Sequence, residues 1–517
     1  MTVSRMFDKK CLVFFVLSFL ASPHASAQTP GGNYMPFASA TPEIREFLIK
    51  AEAADKITDP LARCLAFPDL PGNKWPQGLV KAHCDFYYGP RIKLAKAKQL
   101  FDAGELDKLD ALYAADLERH FSKENFSEII HADFYDFDNS SKSDSFTKQW
   151  LEKAPDSPYA LTARAYYFRE MARAARGAKW AADTPDENVD QMGKFVSLAE
   201  ELFQRALKIE PRLMPAYSAL ISMGTMDSRL DLRRNAIRNA KKIDPLCSVA
   251  INFEMASLTP RWGGSYEAMA KLSEEIAPYS GQRPLLANSM VASTADASDI
   301  LFRDKKYAEM IELLKPATQI STLPVLYRDL SKAMQKIETS SRPETLMYLL
   351  LASRFEAEED DSYFNTVRGW LILGESRQAE WAKKYLKLAV EKKPEDNFSR
   401  FQLAKASLFS GDFQSAETNY LITMKDPAYR QESLYDISTT YMRSKQPEKA
   451  LVQVQVLNKE FPQYAQGWLF TSGVLRVLNK PGVNEAMQKF LDTADRSNPN
   501  VMKLVEQVQQ QLQAAKK

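Results

Sequence analysis

Leu403-Ala404, Ser407, Gly411-Asp412, Ala416, Tyr420 and Thr423, closed by Pro427, form one period of a pattern that organises the chain from Val367 to Lys503. With Asn397 as position 1, Leu403, Ala404 and Ser407 share one face of a first helix, and Ala416, Tyr420 and Thr423 share one face of a second. Gly411-Asp412 breaks the chain between them. The small residue returns at Ala382, Ala416, Ala450 and Ala486, at steps of 34, 34 and 36 residues. Around it Leu386, Ala389 and Pro394 stand in one period, and Ile437, Tyr441, Val454, Leu457 and Pro462 in another. A single helical hairpin cannot bury both of its faces, so several must stack and draw their stability from each other.

The same interval is met again upstream, where Ala240 and Pro245 follow Ala206 and Pro211 by 34 residues. A 34-residue period with two apolar stripes and a closing proline resembles the tetratricopeptide repeat. The resemblance implies an all-α, right-handed helix-turn-helix solenoid, here preceded by a small helical N-terminal domain. A second resemblance rests on Arg176-Gly177, Trp180, Thr184, the two 34-spaced units and Pro260-Arg261-Trp262-Gly263-Gly264-Ser265. Together they are similar, over about Tyr159 to Pro278, to a bacterial family of tetratricopeptide-like domains to which no activity is attached. It supports the fold and adds nothing on function.

The first 27 residues read as processing information. Arg5, Lys9 and Lys10 make a basic start, Cys11 to Ala21 an apolar run too short to span a bilayer, and Ala25-Ser26-Ala27 a small-residue cleavage site. A cleavable signal peptide and a periplasmic or secreted location are expected. Those residues hold three of the 68 basic and one of the 66 acidic side chains, so the remaining 490 residues carry equal numbers of each. A neutral balance argues against general binding to nucleic acid or anionic membrane. No later stretch reaches a spanning length.

Residues 28–155 are expected to form the N-terminal helical domain, 156–317 a first tetratricopeptide-like block, 318–362 a helical connector and 363–517 a second block ending in a capping helix. Gln28 to Ala40 reads as a flexible leader, and the acidic run Glu356 to Asp361 marks a boundary. Thr41-Pro42 and Ser157-Pro158 read as helix starts. Asp133 to Asp144 reads as a solvated loop.

Beyond residue 27 the chain has three histidines, His83, His120 and His131, and three cysteines, Cys64, Cys84 and Cys247. In an oxidising compartment Cys64 and Cys84 read as a disulfide closing the turn-rich segment Pro68 to Pro76, with Cys247 buried and free. A competing reading gives His83 and Cys84, with His120 or His131, to a metal, at a spacing that fits no standard zinc pattern. Gly263-Gly264-Ser265-Tyr266-Glu267 stops one residue short of a nucleophile elbow, and no histidine follows it. Inter-helix turn and helix cap is the structural reading of those residues. Arg229, Arg233, Arg234, Arg238 and Lys241 form a basic helix face, read as solvated.

No catalytic residue, metal site or cofactor is therefore expected. The leading function is an exported scaffold that binds a protein or peptide segment. Two alternatives stand beside it: binding of an envelope glycan or lipid, and a hydrolytic or metal-dependent enzyme using the N-terminal histidines. In the scaffold reading, positions 2, 5, 9 and 12 of each first helix point away from its own partner helix and line a binding surface. These are Phe398, Phe401, Lys405 and Leu408, then Glu432, Tyr435, Thr439 and Met442, with Arg443 adjacent. Phe401 and Tyr435 carry a second reading, as packing between neighbouring hairpins.

Overall fold

The computed structural model describes residues 35–123, 126–178, 183–356 and 361–515. Every regular element among them is a helix. Residues 1–34, with the expected signal peptide and its cleavage site, Trp180 and most of the acidic run at 356–361 lie outside the described residues. The chain divides at Ser39/Ala40 and at Glu359/Asp360 into two compact units.

In the C-terminal unit the 34-residue pattern becomes four hairpins. They are Ser362–Ser376 with Ala379–Lys392, Asn397–Ser410 with Phe413–Thr423, Arg430–Arg443 with Pro447–Glu460, and Ala465–Val477 with Val483–Thr493. Each second helix packs on the next first helix, and Pro499–Ala514 closes the stack. Ala382, Ala416 and Ala450 have no exposure and Ala486 only 4 %, which fixes the register read from their spacing. The helices of a hairpin approach closely enough that a Cβ on Gly369 would stand 2.5 Å from Leu386 Cγ and 3.0 Å from the Ala382 carbonyl oxygen. Gly411 ends its helix in the left-handed region, and Asp412 caps the next by accepting from the Ser415 N–H at 3.2 Å. Residues 35–39 belong to this unit and correct the expectation of a flexible leader there. Phe37 is buried, its N–H donates to the Glu375 carbonyl at 2.8 Å, and the Ser39 hydroxyl donates to the Glu375 carboxylate at 3.1 Å.

The other unit opens on helices Pro42–Ala54, Pro60–Ala66 and Leu79–Tyr88 and ends on the hairpin Pro324–Met334 with Arg342–Phe355. Thr41 and Ser157 cap the helices that begin at Pro42 and Pro158, as expected. One apolar cluster runs from Ile92 to Ala250, so the helices before residue 155 share a core with the hairpins Pro158–Arg176 with Asp186–Ile209 and Met214–Met226 with Leu230–Ile243. The solvated loop expected at Asp133 to Asp144 is corrected, because Asp133, Phe134 and Phe137 are fully buried in this region. Phe134 and Phe137 fill the core, while the acidic side chains accept from backbone N–H groups at or just before two helix starts. Asp133 accepts from the Ile92 N–H at 2.7 Å, Asp136 from the Leu94 N–H at 3.1 Å, and Asp138 from the Ser140 N–H at 3.0 Å.

Cys64 and Cys84 are joined, at a Cα separation of 5.8 Å, and Cys247 is buried and free. The joined segment serves as a cap. The last helical carbonyls of Arg342–Phe355 have no partner within their own helix, and three side chains from the segment supply one each. Arg63 donates to the Ser353 carbonyl at 3.0 Å, Tyr88 to Arg354 at 2.9 Å, and His83 Nε2 to Phe355 at 2.7 Å. The capping is reciprocal. The Cys64 carbonyl would normally accept from residue 68, but Pro68 has no N–H, and buried Arg354 donates to it instead at 2.9 Å. Arg354 also reaches the Pro68 carbonyl at 3.1 Å and the Asp69 carboxylate at 2.8 Å.

Candidate functional site

Successive first helices of the C-terminal unit bring the expected surface residues into one region, but they do not share one role. Phe401 and Leu408 are buried in the cluster that also holds Tyr420, Leu434 and Tyr441. The Phe401 ring lies 5.9 Å from that of Tyr420 and 5.5 Å from that of Tyr429, which sits just before the next first helix. A first helix packs against its own partner and against the following hairpin, so these two positions face the second contact rather than an open surface. Arg443 is likewise committed. It donates to the Leu408 carbonyl at 2.7 Å and lies 5.5 Å over the Phe413 ring, so it caps the preceding first helix instead of selecting a ligand.

Phe398, Lys405, Glu432, Tyr435, Thr439 and Met442 are half-buried. The Tyr435 ring meets those of Tyr464 at 5.8 Å and Phe470 at 5.4 Å, so one edge is packed and the rest contributes to the surface. Lys405 Nζ stands 5.6 Å from the centre of the Phe401 ring. Asp436, one position after Tyr435, belongs to this surface and escapes the 2, 5, 9 and 12 rule. Its carboxylate accepts from the Tyr420 hydroxyl at 3.2 Å. Burial pushes its pKa up to about 6, against the opposing pull of nearby Lys405 and the Tyr420 hydrogen bond.

The folded protein thus holds a proton on Asp436 over a range where the unfolded chain has released it. Stability from this group falls as pH rises from about 4 to about 6. Asp436→Asn keeps an acceptor for Tyr420 and removes the buried charge. The variant is expected to unfold at a higher urea concentration than the wild type at pH 7, with the gap closing as pH falls toward 4. A gap independent of pH would contradict this assignment.

The other sequence candidates resolve separately. Cys84 is bonded to Cys64, and His83 is held between the Phe355 carbonyl and the Thr322 hydroxyl at 3.0 Å. The metal set of His83 and Cys84 with a later histidine is therefore corrected: this pair is a disulfide and a cap. Burial lowers the His83 pKa to about 4, which keeps the imidazole neutral. Ser265 caps Tyr266–Ile276 by accepting from the Ala268 N–H at 3.1 Å, as its structural reading requires. Arg229 pairs with Glu200 at 2.6 Å and Lys241 with Glu254 at 2.9 Å, while Arg234 and Arg238 are exposed.

No family model and no curated protein matches the chain. Among solved structures, YrrB, described as a TPR protein with an unusual peptide-binding site, is 17 % identical, with 36 % of this chain and 91 % of that one covered and a TM-score of 0.30. The APC/C hetero-tetramer Cut9-Hcn1 is 10 % identical over 91 % of this chain and 97 % of that chain, at a TM-score of 0.31. The P58(IPK) TPR domain is 14 % identical over 82 % and 98 %, at a TM-score of 0.24. The fold assignment rests on the stacked hairpins themselves. Among the described residues no helix is long and apolar enough to cross a membrane.

Proposed function

We propose that this chain is an exported tetratricopeptide-type scaffold that holds a protein or peptide segment, without catalysis of its own. The observation that carries the reading is the half-buried row on successive first helices: Phe398, Lys405, Tyr435, Asp436, Thr439 and Met442. Aromatic and thioether groups offer apolar contact, and Lys405 and Asp436 offer one charge of each sign. The row is carried by hairpins that pack tightly on both sides, so its geometry does not depend on a loop. Export is supported by the leader reading of residues 1–27 and by the Cys64–Cys84 pair, since disulfides persist in oxidising compartments.

A photo-crosslinking amino acid at Phe398 or Thr439 is expected to trap a polypeptide partner in intact cells. The same group at Val452, an exposed position on a second helix, is expected to trap none. Lys405→Glu should reduce the yield from Thr439 while leaving the helical circular dichroism unchanged. Adducts from Val452 alone, or an unchanged yield in the Lys405 variant, would overturn the placement.

A further inference from the structure

Two of the three histidines beyond the leader and the free cysteine meet inside the Ala40–Glu359 unit. His120 ends the helix Leu106–Phe121, and His131 lies in the short helix Ile129–Ala132. Asp244 follows Leu230–Ile243, and Cys247 precedes Ser248–Ser257. His120, His131 and Cys247 have no exposure and Asp244 only 8 %. His120 Nε2 is 3.0 Å from Asp244 Oδ2, and His131 Nε2 is 3.4 Å from Cys247 Sγ. Donor atoms of His120, Asp244 and Cys247 all lie within 4.8 Å of one another.

The bland account is a hydrogen-bonded polar core, and it fits poorly. Each imidazole's one hydrogen-bond partner is another member of the set, and Nδ1 of both rings has none among the described residues. Nothing outside the group therefore orients either ring by hydrogen bonding. Bonds of about 2.0 Å to nitrogen or oxygen and about 2.3 Å to sulfur place tetrahedral donors about 3.3 to 3.6 Å apart, so the 3.0 Å from His120 Nε2 to Asp244 Oδ2 and the 4.8 Å limit on the three donors need only a small adjustment to admit an ion. A divalent cation would offset one thiolate and one carboxylate, while the two nearby charges, Arg283 at 3.7 Å from Asp244 Oδ2 and the buried Glu128 carboxylate, are of opposite sign. The His120 ring lies 4.9 Å from Phe121 and 5.8 Å from Phe126, and the Arg283 guanidinium stacks on Phe126 at 3.5 Å.

We propose that His120, Asp244 and Cys247 form a site for a zinc-type divalent cation, with His131 outside the donor set and hydrogen-bonded to the thiol. An imidazole, a carboxylate and a thiolate are donor types such an ion takes, and the burial of all three suits an ion that ties helices together. The ion would tie the end of Leu106–Phe121 to the turn between Leu230–Ile243 and Ser248–Ser257, and binding would displace the Cys247 proton.

Purified full-length chain carrying Cys11→Ser, stripped with chelator and titrated with cobalt(II), provides the test. Uptake of one equivalent is expected, with a thiolate-to-cobalt charge-transfer band and strong visible bands of a four-coordinate ion, all removed by added zinc. Cys247→Ser should abolish the charge-transfer band and weaken binding at least tenfold, and the zinc-dependent rise in melting temperature should shrink with it. With Cys11 replaced and Cys64 bonded to Cys84, Cys247 is the remaining thiol, so the band has one source. Folded wild-type protein that takes up no stoichiometric cobalt, or that gives only the weak spectrum of a hydrated ion, would overturn the site even if the variant failed to fold. A band that persists in Cys247→Ser would overturn it as well.

Discussion

Arg354→Ala is expected to destabilise the Ala40–Glu359 unit by about 3 to 5 kcal/mol, because two carbonyls each lose a charged donor at about 1 to 3 kcal/mol. The guanidinium is 1 % exposed and serves three acceptors: the Cys64 and Pro68 carbonyls and the Asp69 carboxylate. Asp69 is half exposed and regains water when Arg354 is lost, so the penalty falls mainly on the two carbonyls and the emptied volume. Lysine should restore little, because a single ammonium cannot reproduce a planar fork that spans three acceptors. Urea denaturation checks the magnitude. Access of reductant to Cys64 and Cys84 gives a local readout and should rise in the variant. An unchanged midpoint for both substitutions would mean that the segment does not depend on this residue.

The second large effect lies in the stretch Pro260 to Ser265, where two adjacent glycines are required for different reasons. A Cβ on Gly264 would stand 2.1 Å from the Leu258 carbonyl oxygen and 2.4 Å from its carbon, and backbone cannot yield as a side chain does. Gly264→Ala is therefore expected to cost at least about 3 kcal/mol, at or above the usual overpacking range. Gly263 has open space around it but a φ of +80°, so Gly263→Ala should cost about 1 to 2 kcal/mol. Ser265→Ala, which loses only the cap, should cost about 1 kcal/mol. The order of the three unfolding midpoints tests the turn. A Gly264 variant as stable as the wild type would refute it. Arg176, from the same motif, lies 5.4 Å over the Trp262 ring and ties that turn to the end of Pro158–Arg176.

What could be read in the sequence was local and periodic. Ala382, Ala416, Ala450 and Ala486 announce the hairpins because a small residue is needed wherever two helices cross closely, at any position in the chain. Thr41, Ser157 and Ser265 announce helix starts for an equally local reason. Residues whose partners are distant in sequence carried no such mark. Arg354 meets Cys64 across 290 residues and His83 meets Phe355 across 272, and neither identity nor spacing betrays this. Asp133 to Asp138 misled because Asp and Ser that cap helices look, in composition, like Asp and Ser facing water. On the candidate surface, helix geometry gives a direction for each side chain but not its depth. Phe401, Leu408 and Arg443 were claimed by the following hairpin, and Asp436 lay one position outside the rule.

The reciprocal cap between Arg342–Phe355 and the disulfide-bonded segment bears on how the two units can change in length. In the C-terminal unit the main packing of each hairpin is with its neighbours, so a 34-residue unit can be gained or lost there by duplication or deletion with one interface remade. The Ala40–Glu359 unit has no such freedom. Its final helix delivers three carbonyls to Arg63, Tyr88 and His83, and one hairpin more or fewer would carry that helix end away from the side chains that satisfy it. Across relatives of different size, variation in repeat number should therefore accumulate after residue 360, while the span from Arg63 to Phe355 keeps its length.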